Sequence, residues 1–479
     1  MPKGPRLSEA KQRLLEMQRR GSLNSAAGES FAVQRRPVGI PARLSFAQEQ
    51  VWRLDQVAGR IAPLYNESIT LHRRGHCDLF ALKKSFIEII RRHEIWRTTF
   101  AVVDGQPVQI VHPPPATFNL PTVDLRKLPA GQRERAALEL ATRDAELRFD
   151  LEHGPLFRAV LVTLGDLDDR LFLTAHQIIV DGITVFDVFP SELTTFYESF
   201  ASGGGPTLPE LQEQVADFAY AQRKSITGEA LRKQLAYWEE NLAGELQALD
   251  WPKEFPRPAE QTYRGKIYPF TWPDEFTQSL RSLARREGVS IFMVLLAGLM
   301  ALLHRYTRQP DIVVGTLSPS GRKHAAFERL LGYFLNPVAL RANLAGNPTF
   351  RSLLQQMRKV TLGAISNDDV TLEPIAERIH LKPDPSRSLF FTVALSVAPD
   401  VPRLPAGWSV SYMDVESGGA RWDLYLEMSD RAEGMIGRAQ YNPNLFSQAT
   451  IVRTLEDLQG LLEAAVKNPS LLISELAAS

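Results

Sequence analysis

The chain passes from a predicted strand to a predicted helix through Thr174-Ala175-His176-Gln177-Ile178-Ile179-Val180-Asp181-Gly182. The apolar residues 171–173 precede this stretch as a strand would, and the following pattern predicts a helix that begins near Thr184. A polar His-Gln pair and an Asp-Gly turn therefore lie where a strand ends. Turns between a strand and a helix commonly carry active-site groups, so we take this stretch as the centre of the molecule.

The composition is that of a soluble globular protein with more than one domain. Of the 479 residues 44% are hydrophobic, and 55 Lys and Arg residues balance 55 Asp and Glu residues. This balance gives no overall field that would attract nucleic acid or an anionic membrane. Cys77 is the lone cysteine, which excludes an internal disulfide and favours a reducing, cytoplasmic location. The longest apolar run, residues 291–303, is shorter than the ~20 residues that span a bilayer, and the first residues lack the apolar core of a signal peptide.

Helices and strands are predicted in two halves of similar composition. We predict a basic leader at residues 1–41, an N-terminal lobe at 42–250, a proline-rich crossing at 251–264 and a C-terminal lobe at 265–476. The leader is interpreted either as a solvated segment or as a short helix that contacts an upstream partner.

Local patterns predict several elements within these lobes. Predicted helices cover residues 79–92, 136–147, 231–242, 275–286, 290–306 and 448–466, and predicted strands cover residues 156–162, 171–175, 311–315 and 389–397. Ser45 is a predicted helix cap, and Asp104-Gly105 predicts a tight hairpin turn. We also predict that Thr184 opens the helix after the central stretch and that Pro190 ends or kinks its first turns.

Several familiar chemistries have no counterpart in the sequence. The nine histidines and one cysteine show no spacing typical of a metal site, so no metal is predicted. There is no phosphate-binding Walker loop, no dinucleotide-binding glycine pattern after a strand, and no Gly-x-Ser-x-Gly turn. ATP-driven chemistry and hydrolysis through a serine triad are therefore disfavoured.

Six landmarks occur in order over residues 42–476, and together they resemble the condensation domain of nonribosomal peptide synthetases. These landmarks are Ser45-Phe46-Ala47-Gln48-Glu49-Gln50-Val51-Trp52, Arg92-His93-Glu94-Ile95-Trp96-Arg97-Thr98-Thr99-Phe100, Asp217-Phe218-Ala219 with Tyr237-Trp238, Gly332-Tyr333-Phe334-Leu335-Asn336-Pro337, the weaker Asn367-Asp368-Asp369-Val370, and Asp384-Pro385-Ser386-Arg387-Ser388. The family signature His-His-x-x-x-Asp-Gly is present as residues 176–182, with Gln177 in place of the second histidine. Trp96 likewise stands where leucine is usual.

The resemblance implies an α/β (α+β) fold. It would consist of two lobes like chloramphenicol acetyltransferase, each a mixed β-sheet with flanking helices, arranged as a V around a central tunnel. It also implies a role in natural-product biosynthesis, in which an amide forms between a carrier-bound acyl thioester and a carrier-bound aminoacyl acceptor. The implied partners are donor and acceptor carrier proteins and neighbouring synthetase or polyketide synthase modules. The carriers would deliver phosphopantetheine arms, and no bound cofactor, nucleic acid or membrane is expected.

The resemblance also assigns roles to individual residues. Gln177, Asp181, Gly182 and His176 are the expected catalytic group, in which Asp181 pairs with Arg322 and the Gly182 N–H approaches the thioester oxygen. Residues expected to bind substrate are Tyr333, Asn336 and Ser386. Those expected to be structural are Arg322, Arg97 and His93, the last two within a cluster that includes Glu94.

Gln177 decides how much activity is expected, because an amide does not titrate near neutral pH and cannot act as a base. General-base help contributes about 3–5 kcal/mol, whereas holding two reactants together contributes about 7–11 kcal/mol. An active enzyme that uses Gln177 to orient the amine is therefore one hypothesis. The alternative is a catalytically degenerate module that docks carriers, gates or recruits. Ester formation is less favoured, because an alcohol depends more on a base.

Overall fold

The structure is a computed structural model that describes residues 35–37, 39–58, 63–251, 253–398, 402–411, 415–431 and 433–476. Most of the predicted leader, including its short helix, lies outside the described residues. The end of the leader is packed on the N-terminal half, because the Arg36 side chain donates to Glu94 at 2.6 Å and its backbone N–H donates to Asp217 at 2.9 Å.

The described residues contain eleven α-helices and fourteen strands. The helices are α1 (Phe46–Ala58), α2 (Leu79–Arg92), α3 (Ala130–Ala145), α4 (Phe189–Ala201), α5 (Val215–Ser225), α6 (Gly228–Asn241), α7 (Asp274–Glu287), α8 (Ile291–Thr307), α9 (Phe350–Ser366), α10 (Leu372–Arg378) and α11 (Gln448–Lys467). The strands are β1 (Ala42–Arg43), β2 (Asn66–Arg74), β3 (Thr98–Val103), β4 (Gln106–Val111), β5 (Thr122–Asp124), β6 (Phe157–Gly165), β7 (Asp168–His176), β8 (Lys266–Pro273), β9 (Asp311–Ser318), β10 (Asn336–Asn343), β11 (Val393–Ala398), β12 (Trp408–Ser411), β13 (Leu424–Arg431) and β14 (Gly434–Tyr441).

The strands form three sheets. A small antiparallel sheet has the order β1-β4-β3, a five-stranded sheet has the order β12-β2-β7-β6-β5, and a six-stranded sheet has the order β10-β9-β11-β13-β14-β8. The two larger sheets are mixed, because β5 runs parallel to β6 and β11 runs parallel to both β9 and β13. Each large sheet has its own hydrophobic core, so the molecule has two centres of packing.

Local sequence signals account for many of the element boundaries. The Ser45 hydroxyl accepts from the Gln48 N–H at 3.1 Å, and the Ser290 hydroxyl accepts from the Met293 N–H at 3.3 Å, so each caps the helix that follows. The β3–β4 hairpin turns through Asp104 and Gly105, both with positive φ, as the sequence predicts. The predicted strands at 156–162 and 171–175 fall on β6 and β7, which pair antiparallel.

The predicted cap of the helix after the central stretch is wrong, because the Asp181 carboxylate, rather than Thr184, provides it by accepting from the Thr184 N–H at 2.8 Å. The helical backbone begins at Gly182, passes through a π-helical turn at Thr184–Val188 and continues as α4. Pro190, which has no N–H to donate, follows this turn directly and does not end the helix, and the predicted kink stays a prediction. In the π-helical turn the Phe189 N–H donates to the Thr184 carbonyl five residues earlier, so the hydrogen-bond register has already shifted before the proline.

Packing crosses the predicted division of the chain at several places. Trp238 of α6 is buried in the C-terminal core and donates from its indole nitrogen to the Asn367 carbonyl at 2.7 Å. In the other direction, Phe327 and Phe334 are buried with the N-terminal core, and β12 pairs with β2 of the five-stranded sheet. The boundaries at residues 250 and 265 stay predictions.

Within the described residues, no single helix has the length and apolar character needed to cross a membrane. The pair α7 and α8 passes that test only when taken together across a bend of 101°.

Candidate active site

The central stretch lies at the wall of a cleft between the two large sheets. Strand β7 ends at His176, the 3-10 turn Gln177–Ile179 follows, and the side chain of Gln177 faces the cleft. Including the open solvent at its mouth, the cleft has a volume of about 1160 Å³. Its charged lining residues are Glu67, Asp181, Arg421, Glu427 and Arg438.

His176 is held in one orientation in the protein interior. Its Nδ1 accepts from the Ile178 N–H at 3.2 Å, so the proton of the neutral ring lies on Nε2, 3.4 Å from a carboxylate oxygen of Asp55. Only 2% of the residue is exposed. These contacts give His176 a positioning function for the turn that carries Gln177.

Gln177 is fixed by a carboxylate from the neighbouring strand. Its Nε2 donates to Glu67 of β2 at 3.0 Å, and its backbone N–H donates to the Tyr65 carbonyl at 2.7 Å. Because a carboxylate only accepts hydrogen bonds, the amide nitrogen must face Glu67. No donor among the described residues lies within hydrogen-bond distance of the Gln177 Oε1, which is therefore available to a donor in the cleft.

The network continues across the cleft into the C-terminal half. Arg438 of β14 donates to Glu67 at 2.9 Å and to Glu427 at 2.7 Å, and all three residues are buried. Glu427 and Arg438 are direct cross-strand partners on β13 and β14. Burial raises the pKa of Glu427, against the opposing charge of Arg438. One guanidinium thus holds two carboxylates in place beside Gln177.

Asp181 is buried and bound in two places by Arg322. The Arg322 Nε lies 3.0 Å from one carboxylate oxygen and a terminal nitrogen lies 2.8 Å from the other. Asp181 also accepts from the backbone N–H groups of Thr184 and Phe334, at 2.8 and 3.2 Å. The expected contact between Asp181 and Arg322 is therefore present, and it ties the central turn to the segment before β10.

Gly182 lines the cleft beside Gln177. A Cβ built on Gly182 would meet no atom of the described structure within 4 Å, so no steric contact with the described residues requires glycine here. The open side of this residue faces the space that a substrate would fill. An approach of its N–H to a thioester oxygen stays a prediction.

The three residues expected to bind substrate are not brought together. Tyr333 lines the cleft, and burial raises the pKa of its phenol to about 12. Asn336 is buried outside the cleft and donates to the Asp368 and Val370 carbonyls at 2.7 and 2.8 Å, which makes it a structural residue. Ser386 lies in a turn that is closed by Asp384 at 2.7 Å, also away from the cleft.

His93 and Arg97 fall into two separate clusters. The His93 Nε2 lies 2.7 Å from Glu192, while its Nδ1 accepts from the Leu331 N–H at 3.2 Å, so His93 joins α4 to the C-terminal half. Burial lowers the pKa of His93. Arg97 lies 3.9 Å from Glu94 and donates to the His112 carbonyl. Glu94 therefore pairs with Arg97, whereas His93 pairs with a glutamate from another helix.

The residues around Gln177 were missed by reasoning from the sequence. Glu67, Glu427 and Arg438 are charged residues within strands of mostly buried residues, which is the signal that could have drawn attention to them. Tyr65 and Arg421, also in the cleft lining, carry no comparable signal. The described residues include no cluster of three His, Cys, Asp or Glu side chains that could hold a metal ion.

A family model described as the condensation domain matches residues 41–478. One of the linear gramicidin synthase subunits of Brevibacillus parabrevis is 36% identical over 438 residues, which are 90% of this chain and 6% of that protein. Phosphinothricin tripeptide synthetase PhsC of Streptomyces viridochromogenes is 34% identical over 471 residues, which are 97% of this chain and 42% of that protein. The chain thus spans well under two thirds of the length of these curated relatives.

Two solved structures share the fold over nearly the whole chain. The X-domain from teicoplanin biosynthesis has a TM-score of 0.79 at 25% identity, covering 93% of this chain and 99% of that one. The first condensation domain of the calcium-dependent antibiotic synthetase has a TM-score of 0.78 at 19% identity, covering 92% of this chain and 100% of that one. At this level of identity the second match supports the fold alone. The fold class predicted from the sequence is confirmed.

Proposed function

The chain belongs to the condensation-domain family, and we propose that it forms an amide between a carrier-bound acyl thioester and the amine of a carrier-bound aminoacyl acceptor. The observation that carries this proposal is the orientation of Gln177. Its Nε2 is bound by Glu67, so its Oε1 is left to accept a hydrogen bond from an amine in the cleft. This interaction would direct the nitrogen lone pair at the thioester carbonyl.

The reaction needs no external energy source, because a thioester is already activated. The amine nitrogen attacks the carbonyl carbon, the C–N bond forms, and the C–S bond breaks to release the thiol of the donor arm. The proton lost by the amine passes to the departing sulfur or to water. Gly182 would donate its backbone N–H to the oxygen on which negative charge develops.

Positioning supplies the larger part of the expected rate. An α-amine with a pKa near 8 is neutral in roughly a tenth of molecules at pH 7, so a reactive acceptor is present without a protein base. Confinement of two reactants contributes about 7–11 kcal/mol, compared with about 3–5 kcal/mol for a general base. The loss of a titrating histidine at position 177 is therefore compatible with turnover.

The partners in this proposal are the donor and acceptor carrier proteins, which would deliver phosphopantetheine arms, and neighbouring synthetase or polyketide synthase modules. The relatives named above are themselves much longer synthetases of which this chain matches one part, which supports such a setting. We also infer a cytoplasmic location. The lone Cys77 supports it, because a chain with one cysteine forms no internal disulfide.

A recruitment platform is the second candidate function. The observation that favours it is Gln177, because the family uses a histidine there. The X-domain from teicoplanin biosynthesis has been solved in a complex with OxyB, and it resembles this chain with a TM-score of 0.81 at 25% identity. A chain that had lost condensation activity could in the same way bind another protein through its surface.

The proposal is tested by mass spectrometry of carrier proteins loaded with donor and acceptor groups. We expect the wild type to transfer the acyl group to the acceptor carrier within a single turnover, and Gln177→Ala to do so at least about tenfold more slowly. Carriers without the phosphopantetheine arm serve as the control. If the wild type forms no product while Gln177→His does, the positioning role is wrong and the recruitment function is preferred.

A further inference from the structure

Arg421 places a positive charge in the cleft, and none of the carboxylates that the structure describes is paired with it. Its side chain lines the cleft, and its guanidinium lies over the Trp422 ring at 5.1 Å from the ring centre. The carbonyl of Arg421 accepts from Gln261 at 2.6 Å and from Ser388 at 2.9 Å, which fixes the backbone from which the side chain projects. Across the described part of the chain, no Asp or Glu oxygen lies within 4.0 Å of this guanidinium.

Two acidic side chains that could serve Arg421 are bound elsewhere. Asp423, two residues along the chain, is paired with Arg257. Glu373 contributes to the electrostatic field at Arg421, but both of its carboxylate oxygens accept from the amide nitrogen of Gln50, at 2.7 and 2.8 Å. A buried or half-buried cation without a carboxylate partner is costly, so its retention in a cleft points to a ligand of opposite charge.

Two buried phenols line the same cleft as this cation. Tyr65 is only 2% exposed, and its hydroxyl has no hydrogen-bond partner among the described residues. Tyr333 is also 2% exposed. Burial raises the pKa of Tyr333 to about 12. Both phenols are therefore protonated and able to donate.

This group of three side chains adjoins the reacting centre. The Tyr65 carbonyl accepts from the backbone N–H of Gln177 at 2.7 Å, and the residue after Tyr333, Phe334, donates its N–H to Asp181 at 3.2 Å. A group bound by Arg421 would thus belong to the part of a substrate next to its reacting atoms. The phosphate of a carrier arm is separated from the thioester by the whole pantetheine chain and does not fit this position.

We propose that Arg421, Tyr65 and Tyr333 form a subsite for a carboxylate on the acyl or aminoacyl group of one of the two substrates. The subsite rests on the proposed function, since it assumes that such groups enter the cleft. One guanidinium and two hydroxyl donors match the several acceptor positions of a carboxylate. Glu67 and Glu427 line the same cleft but share the Arg438 guanidinium, so Arg421 is the cleft's charged side chain left for a carboxylate among the described residues.

The test compares acidic substrates with their neutral isosteres. Single-turnover amide formation is measured with aspartyl against asparaginyl acceptors, and with N-acetyl-aspartyl against N-acetyl-asparaginyl donors. In parallel, calorimetry measures the binding of the same groups as unreactive pantetheine amides. Variants are Arg421→Gln, Arg421→Lys and Tyr65→Phe, and thermal unfolding of each variant shows that it is folded.

We expect the wild type to prefer the acidic member of one pair by roughly 10- to 100-fold, in rate or in affinity. Arg421→Gln should bring that preference close to one, whereas Arg421→Lys should keep part of it and Tyr65→Phe should reduce it severalfold. If Arg421→Gln fails to fold, the loss of acidic preference in Tyr65→Phe decides whether the subsite exists.

The subsite is wrong if the wild type prefers the acidic member of a pair neither in rate nor in binding, or if Arg421→Gln weakens both members of a pair equally. The latter result would mean that Arg421 acts on a group common to all substrates. Failure of the proposed function is a different result. In that case no pair of substrates gives an amide, but calorimetry still measures whether the subsite binds the carboxylate of the acidic pantetheine amide.

Discussion

At the scale of single residues, the behaviour of Gln177 depends on the group behind it. Glu67 accepts from its Nε2 and Arg438 holds Glu67, so the amide is oriented by charges that come from both large sheets. A glutamine without this support could turn its nitrogen or its oxygen to the substrate. The orienting role therefore belongs to the pair of Gln177 and Glu67.

Glu67→Gln tests this pair directly. A neutral amide at position 67 can accept or donate, so Gln177 loses its single orientation and Arg438 keeps one carboxylate instead of two. Hydrogen bonds to charged groups contribute about 1.5–3 kcal/mol, and we expect the single-turnover rate of amide formation to fall roughly tenfold or more. Glu134→Gln is the matched control, because Glu134 is a carboxylate that pairs with Arg170 and does not line the cleft. Equal rates for the wild type and Glu67→Gln would contradict the orienting role of Glu67.

The burial of His93 leads us to expect that the stability of the folded protein depends on pH. Burial lowers its pKa below the usual value of 6.5, so the unfolded chain binds a proton at this position more readily than the folded chain. The contribution of neutral His93 to the free energy of unfolding is therefore complete above about pH 6.5. This contribution is lost as the pH falls from there towards the lowered pKa. Melting temperatures measured from about pH 7.5 to about pH 5.5 should fall more steeply in the wild type than in His93→Gln. Parallel curves would show that His93 does not titrate on unfolding.

At the scale of elements, the turn from β7 to α4 is held by a buried ion pair. Asp181 caps the π-helical turn Thr184–Val188 and is bound by Arg322, whose remaining donors reach the Glu328 and Leu330 carbonyls at 3.0 Å. The geometry of the central turn thus depends on a segment that is distant in the chain, since Asp181 and Arg322 are separated by 141 positions.

Arg322→Leu should destabilise the protein strongly, because it leaves the Asp181 carboxylate buried without its counter-charge. Breaking a buried pair in this way costs about 3–5 kcal/mol, which urea unfolding would measure. The double variant Arg322→Leu with Asp181→Asn should recover part of the loss, since the amide introduced at position 181 would be neutral and still able to accept from the Thr184 N–H. If the double variant is less stable than Arg322→Leu alone, charge burial is not the cause.

Elements with strong local signals could be predicted, whereas most contacts between distant segments could not. The exception is the pair of Asp181 and Arg322, which the family resemblance rather than a local pattern suggested. Helices α2, α8 and α11 carry apolar faces or caps that are visible in the sequence, and the observed boundaries agree closely with the predicted ones. Asn336 and Ser386 belong to recognisable motifs, but a motif does not tell whether a side chain faces a cleft or the backbone of a neighbour. Placing them required knowledge of the fold around them.

At the scale of the whole molecule, one strand links the two halves. Strand β12 follows elements of the six-stranded sheet in the chain but pairs with β2, which also carries Glu67. Trp408 of β12 packs edge-on against Tyr197 at 5.1 Å and donates to Glu198 at 3.1 Å. The strand that supports Gln177 is therefore covered at its outer edge by the C-terminal half.

Trp408→Ala should weaken this link. Removing a buried tryptophan typically costs about 3–5 kcal/mol, and part of the loss should appear as faster hydrogen exchange at the β2 amides that pair with β12. Ser409→Ala is the control, because Ser409 is exposed on the same strand. Unchanged exchange in β2 of the Trp408→Ala variant would show that β12 adds nothing to the stability of that edge.

The pH profile of single-turnover amide formation tests the central claim most directly. If an oriented Gln177 and confinement account for the rate, the profile should show one ionisation, that of the acceptor amine. Replacing the acceptor by one with a less basic amine should move that ionisation to lower pH by the difference between the two amine pKa values. An ionisation that stays at the same pH with both acceptors would reveal a titrating base in the protein, such as Glu427, and would contradict the account.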